Sequence, residues 1–205
     1  IASLAGYFFT VIFVLIFHFL FTFSILIKFF TALNPVKFFQ NLKDVVIFTF
    51  STSSSSASIP FTLRVAEKKY GIDKSISTFT VPLGATINMD GTAIMQGCAT
   101  FFLASLYGID LGINEIVTIV ITATIASIGT AGIPSAGIIM LTVIFTQIGI
   151  PLEGITLLLG VDRLLDMMRT SVNVSGDICI SCVIASSENK ICLLYTSPSP
   201  RDPTK

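Results

Sequence analysis

Apolar residues run almost unbroken from Ile1 to Phe30, with Lys28 the one formal charge. That run exceeds the roughly 20 residues a helix needs to cross a bilayer, so residues 1–33 are predicted to be a transmembrane helix with its exit. Asn34–Asp44 is a polar connector. Apolar character returns over Val45–Leu63, but Ser51-Thr52-Ser53-Ser54-Ser55-Ser56-Ala57-Ser58-Ile59-Pro60 lies at its centre, and the basic-rich stretch Arg64–Lys74 follows. Ser75–Ile109 carries Asp90 alone as a charge, inside Asn88-Met89-Asp90-Gly91-Thr92. Ile116–Leu152 has no charge and centres on Gly129-Thr130-Ala131-Gly132-Ile133-Pro134-Ser135-Ala136-Gly137. The last apolar stretch, Gly154–Ile184, contains Asp162, Arg163, Asp166, Arg169 and Asp177.

The flanking charges turn this order into a topology. Cytoplasmic loops collect Lys and Arg, and the loops on both sides of Val45–Leu63 are basic. A segment that starts and ends on one side cannot cross once, so this one is predicted to be a re-entrant hairpin. Asp110, Glu115 and Glu153 flank Ile116–Leu152 without a basic residue, which predicts a second hairpin entering from the outer side. The expected fold class is therefore an all-α polytopic membrane protein: transmembrane helices with two re-entrant helical hairpins in an inverted repeat. Irregular backbone at membrane depth survives only where protein or a water-filled cavity satisfies it, so two polar tips point to a binding site near the midplane.

Composition agrees. Of 205 residues, 53% are hydrophobic and 12% charged, and the mean hydropathy is +0.88. A soluble domain carries about 25% charged residues, so a soluble enzyme and a disordered tail are both excluded. Lys+Arg and Asp+Glu stand at 12 each, leaving no net charge to attract a nucleic acid. The chain opens on Ile1 within apolar sequence, and a fragment of a longer protein is expected. Ile191–Lys205, with three prolines and no helical period, resembles translated adapter sequence and is set aside as a non-native tail. Cys179 and Cys182 form a lone C-x-x-C, read as small buried helix residues. His18, alone in its apolar run but for Thr22, is read as a packed helix position.

The candidate chemistry lies in three places. Asp162, Asp166, Arg169, Asn173 and Asp177 are spaced four, three, four and four apart. On a helix they occupy an arc of roughly 80° over about 22 Å. Each intramembrane charge costs a few kcal/mol on insertion scales, so a stripe of this length predicts a function. A plain Asp166–Arg169 ion pair accounts for only part of it. Asn88–Thr92 supplies an amide, a carboxylate, a flexible glycine and a hydroxyl, hard oxygen ligands suited to a small cation. The tips offer hydroxyls and N–H groups at Ser54, Ser55 and Ser56, and close backbone approach at Gly129, Gly132 and Gly137.

In this order, Ser54-Ser55-Ser56 with Pro60, Asn88–Thr92, Gly129–Gly137 and the run Asp162–Asp177 resemble the signature segments of the dicarboxylate/amino acid:cation symporter family. These are the glutamate and aspartate transporters of bacteria, archaea and animal excitatory synapses. The resemblance spans about residues 1–188 and is to the bacterial or archaeal type. It implies a transport-domain core over 34–188: hairpin 1 at about 41–64, helix 7 at about 75–109, hairpin 2 at about 115–150 and helix 8 at about 154–186. It also implies a homotrimer in the bacterial inner membrane, an elevator-type mechanism, sodium (or a proton) as coupling ion and no organic cofactor. Earlier helices, including most of a trimerisation scaffold, are expected upstream.

The resemblance implies roles residue by residue. Arg169 would take the substrate's side-chain carboxylate through a bidentate fork, and Asp166 its amino group. Thr170, Asn173 and Thr92 would line the pocket, with Ser55, Ile133 and Gly137 closing from the tips. Asn88, Asp90, Asn173 and Asp177, with the carbonyl of Gly84, would hold sodium. Thr86, Ser127, Ile128 and Thr130 would form a second sodium site. Ser135 stands where a glycine is common, which is expected to stiffen that tip.

The resulting expectation is symport of an acidic amino acid. The alternative is a C4-dicarboxylate:cation symporter, which would leave Asp166 unexplained. A membrane serine hydrolase is disfavoured by the absence of a G-x-S-x-G elbow.

Overall fold

The computed structural model describes residues 2–191. Ile1 and all but the first residue of the expected tail lie outside that range, Cys192 included. The described chain is helical throughout. Its one bridge pairs Ile72 with Ile191 in antiparallel sense.

The first helix, Ala2–Phe30, runs as α1 (Ala2–Phe17), a π-helical turn (His18–Thr22) and α2 (Phe23–Phe30). Among the described residues it is the one helix long and apolar enough to cross a membrane. Val11, Leu15, Phe23 and Ile27 are buried, while Phe9, Phe13, Phe17, Phe21 and Phe29 stand exposed. In water such a face would aggregate, so it fits lipid or a further helix.

Two helix pairs follow. In the first, α3 (Pro35–Thr52) starts on Asn34, whose side chain accepts from the Val36 N–H with Pro35 in the first turn. The stretch from Pro35, expected as a connector, is thus already helical. Ser53, in the left-handed region at φ 50°, ends α3, and Ser54 caps α4 (Ser55–Tyr70) by accepting from the Ala57 N–H. Two serines therefore make the whole turn. Gly71, at φ 66°, stops α4.

The second pair is α7 (Ile113–Ile128) against α8 (Ala136–Ile139) and α9 (Leu141–Ile148). The glycine-rich loop 129–135 joins them. Between the pairs, the apolar stretch is two helices. Asp73 caps α5 (Lys74–Ile87), which ends at Asn88; α6 (Asp90–Leu106) begins two residues later.

The polar-striped segment forms α10 (Ile155–Ser187), which touches α1, α2, α3, α4, α5 and α6 and forms the axis of the packing. Its burial runs from Leu158 to Ala185. Small side chains let neighbours approach, and hydroxyls tie them: Thr49 Oγ1 to Ser171 Oγ at 3.2 Å, and Thr80 Oγ1 to Ser181 Oγ at 2.6 Å.

Candidate functional site

The site is assembled on α10. Arg169 is 1% exposed. Its Nη2 donates to Asp162 Oδ1 at 2.9 Å and to Asp166 Oδ1 at 2.8 Å. Its Nε and Nη1 are buried with no hydrogen-bond partner among the described residues. A guanidinium presents five N–H donors in a fixed fork, and here those on Nε and Nη1, on either side of the occupied Nη2, are left without a partner. The ion pair expected between Asp166 and Arg169 takes in a third member: the spacing of seven places Asp162 two turns below Arg169 on the same face, and it shares the cation with Asp166.

Asp166 also reaches the second tip. Its Oδ2 accepts the Ser135 backbone N–H at 2.9 Å. That N–H points inward because Ser135 adopts the left-handed conformation, φ 61°. Gly137 lies against Arg169: a Cβ there would come within 3.2 Å of Nη1 and 2.9 Å of Thr92 Cγ2. Gln96, fully buried, donates from Nε2 to the Gly137 carbonyl at 3.2 Å.

The two tips meet directly. Ser54 Oγ donates to the Gly132 carbonyl at 2.8 Å, and the Ser56 N–H donates to the same oxygen at 3.0 Å. A Cβ on Gly132 would lie 2.5 Å from Ser56 Oγ and 3.0 Å from the Ala85 carbonyl oxygen, so this closeness requires glycine. Beneath the contact a cavity of about 10 Å³ is lined by Ser53, Ser55, Met89, Thr92, Thr130, Ala131, Gly132, Ile133, Gly137, Asp166, Thr170 and Asn173. That is space for about one water; anything larger requires the tips to part. Ile133 contributes to this lining although it is 58% exposed. Thr170 turns its hydroxyl back to the Asp166 carbonyl at 2.8 Å.

A second cluster forms where α5 breaks. Asn88 Nδ2 donates to Asp177 Oδ1 at 2.9 Å and approaches the Asn173 carbonyl at 3.4 Å. Asn173 accepts the Gly91 N–H on Oδ1 at 2.8 Å and donates from Nδ2 to Thr92 Oγ1 at 3.1 Å. Gly84 packs so closely on Asp177 that a Cβ would overlap its carboxylate. Asp90 Oδ1 is buried without a partner among the described residues. The cluster joins two carboxylates, two side-chain amides and the Asn173 carbonyl. This donor set suits a hard cation, and the orphaned Asp90 oxygen has the right chemistry for one. Among the described residues no group of three or more His, Cys, Asp and Glu converges as a transition-metal site would require.

The second expected ion set is less gathered. Ser127 and Thr130 are buried at the end of α7, their hydroxyls bonded to the Thr124 and Ala126 carbonyls. Thr86 and Ile128 are exposed, and Thr86 Oγ1 donates to the Leu83 carbonyl at 2.8 Å. Helices α5 and α7 do touch.

Sequence reasoning missed several contributors: Asp162 as counter-ion, Ser53 and Met89 in the cavity wall, and Gln96 behind Gly137. It read His18 as a packed helix position without the partner it has, Asp90 Oδ2, 2.7 Å from its Nε2. Its signal was present as a polar ring alone in an apolar run, but nothing local names a partner 72 residues away.

A helical membrane protein with a charged site sealed between two loop tips is the class that fold and site define. The chain belongs to the sodium:dicarboxylate symporter family, whose model matches residues 1–187. It is 49% identical over 144 residues to excitatory amino acid transporter 3 of Mus musculus, covering 70% of this chain and 28% of that protein. It is 45% identical over 175 residues to excitatory amino acid transporter 1 of Rattus norvegicus, covering 85% and 32%. The human excitatory amino acid transporter 2 is 48% identical over 147 residues, covering 72% and 26%. The chain thus spans about a third or less of these relatives' length. Family and relatives are transporters by name, not enzymes, and the chain is an integral membrane protein by membership.

Proposed function

We propose that the protein containing this chain is a secondary active symporter for an acidic amino acid, glutamate or aspartate, driven by a sodium gradient. The observation that carries the reading is the pair of unpartnered nitrogens on Arg169, Nε and Nη1. A buried guanidinium with two unpartnered nitrogens is costly to leave so, and a substrate carboxylate would take a bidentate hold on it by displacing one of the two aspartates from Nη2. Asp166 beside it would exchange the Ser135 N–H for the substrate ammonium. Thr170, Asn173 and Thr92 would line the pocket, with Ser55, Ile133 and Gly137 closing it. Asn88, Asp90, Asn173, Asp177 and the Gly84 carbonyl would hold one sodium ion. Thr86, Ser127, Ile128 and Thr130 would hold another.

In this reading the α3–α4 and α7–α9 pairs are re-entrant hairpins, entering from opposite sides of the membrane. Residues 34–188 form a mobile transport domain within a homotrimer, working as an elevator. The relatives named above are mammalian and lend no support to the bacterial inner membrane expected from the sequence, so the proposed location is simply the plasma membrane.

Uptake of labelled aspartate and succinate by the full-length protein tests this. Aspartate uptake with sodium, abolished by Arg169→Ala, is the expected result. Succinate carried as well as aspartate, and unaffected by Asp166→Asn, would instead establish the C4-dicarboxylate reading. Equal uptake in sodium-free buffer under an imposed pH gradient would replace sodium by a proton.

A further inference from the structure

His18 opens the π-helical turn His18–Thr22. Such turns break the regular ladder, re-aim the side chains beside them and occur mostly at functional positions. No proline or glycine lies between Phe13 and Phe23 to force one. The ring is held from one side by Phe23, edge to face at a centroid distance of 5.2 Å. Phe23 in turn stands against α10, its Cζ within 3.4 Å of where a Cβ of Gly176 would lie.

The two oxygens of Asp90 have unlike surroundings. Oδ2 lies 2.7 Å from His18 Nε2. Oδ1 is buried and without a partner among the described residues. It lies 3.5 Å from the same Gly176 Cβ position, which Asn88 Nδ2 approaches to 2.7 Å. Oδ1 is therefore turned toward the Asn88–Asp177 cluster, across a gap that only glycine leaves open. Without a donor on Oδ2, the carboxylate would be free to rotate about its terminal torsion, which has broad minima.

We propose that His18 is a positioning residue for the cation cluster: its ring N–H holds Asp90 Oδ2 and thereby aims Oδ1 at the space bounded by Asn88, Asn173 and Asp177. The inference rests on the reading of Asp90 as a sodium ligand. Hydrogen bonds that orient a ligating group are worth about 10–100-fold in metal affinity.

The test uses purified full-length protein and two readouts: the sodium concentration for half-maximal aspartate uptake, and the sodium-dependent rise in thermal midpoint without substrate. His18→Leu should raise the half-saturating sodium concentration in both by about tenfold, with a much smaller change in maximal rate at saturating sodium. His18→Gln, whose amide donates with similar reach, should recover most of that loss. Should His18→Leu not fold, His18→Asn, too short to reach Asp90, takes its place. Asp90→Asn is measured alongside. If Asp90→Asn shifts the sodium dependence and His18→Leu does not, the positioning role is overturned and the cation reading stands. If neither shifts it, both fall. Equal defects in the Leu and Gln variants, confined to maximal rate, would also overturn the role by marking simple packing.

Discussion

At the scale of single residues, the site satisfies its own polar groups only in part. Asp166 divides its oxygens between Arg169 and the Ser135 N–H, while two Arg169 nitrogens stay unpaired. The left-handed backbone of Ser135 aims that N–H, and a left-handed conformation costs a residue with a Cβ roughly 1–2 kcal/mol relative to glycine. Ser135→Gly should therefore favour the tip arrangement described here. Hydrogen exchange of the amide at position 135 should slow by about fivefold, the factor that about 1 kcal/mol allows. An unchanged or faster exchange would show that the strain is relieved elsewhere. Ser135 is expected from the sequence to stiffen the tip; at this position the structure has a left-handed backbone with its N–H on Asp166.

Among elements, the interruption between α5 and α6 matters most. It lets Asn88 turn its amide toward α10. Asn88 Nδ2 supplies a hydrogen bond to Asp177, a carboxylate only 3% exposed. Leaving a buried acceptor unsatisfied costs about 1–3 kcal/mol, more for a charged one. Asn88→Ala should lower the thermal midpoint in sodium-free buffer. High sodium should widen that loss, because a ligand binding only the folded state stabilises it by mass action and the variant lacks one of the groups proposed to hold the ion. Equal destabilisation with and without sodium would place Asn88 outside the cation cluster.

At the scale of the whole molecule, α10 is tied at its end to the connection between α4 and α5. The Asp73 N–H donates to the Lys190 carbonyl at 3.0 Å, Lys190 Nζ reaches Ser75 Oγ at 3.2 Å, and Ile191 bridges Ile72. Asp73 caps α5, and the Ser75 hydroxyl and backbone N–H on its carboxylate hold its pKa below the ordinary value. A depressed folded pKa contributes stability that is present above the unfolded value, near pH 4, and is lost as pH falls through the folded one. The thermal midpoint should drop on acidification below about pH 4. Asp73→Asn should flatten that limb, since the amide still caps but does not titrate; an unaltered limb would assign acid sensitivity to other carboxylates.

How much of this could be read from the chain follows from the range of the forces involved. The helices, their tips, the break at Asn88–Thr92 and the stripe on α10 were legible, because helical period, proline and glycine geometry and the cost of an intramembrane charge are local properties. Asp162 was within reach, since a spacing of seven already stacks it under Arg169. The rest was not. Which nitrogen of Arg169 remains free, that Ser54 and Ser56 share the Gly132 carbonyl, and that His18 takes one oxygen of Asp90 depend on side chains brought together from distant stretches. Periodicity tells which face of a helix is polar, but only packing decides which partner that face meets.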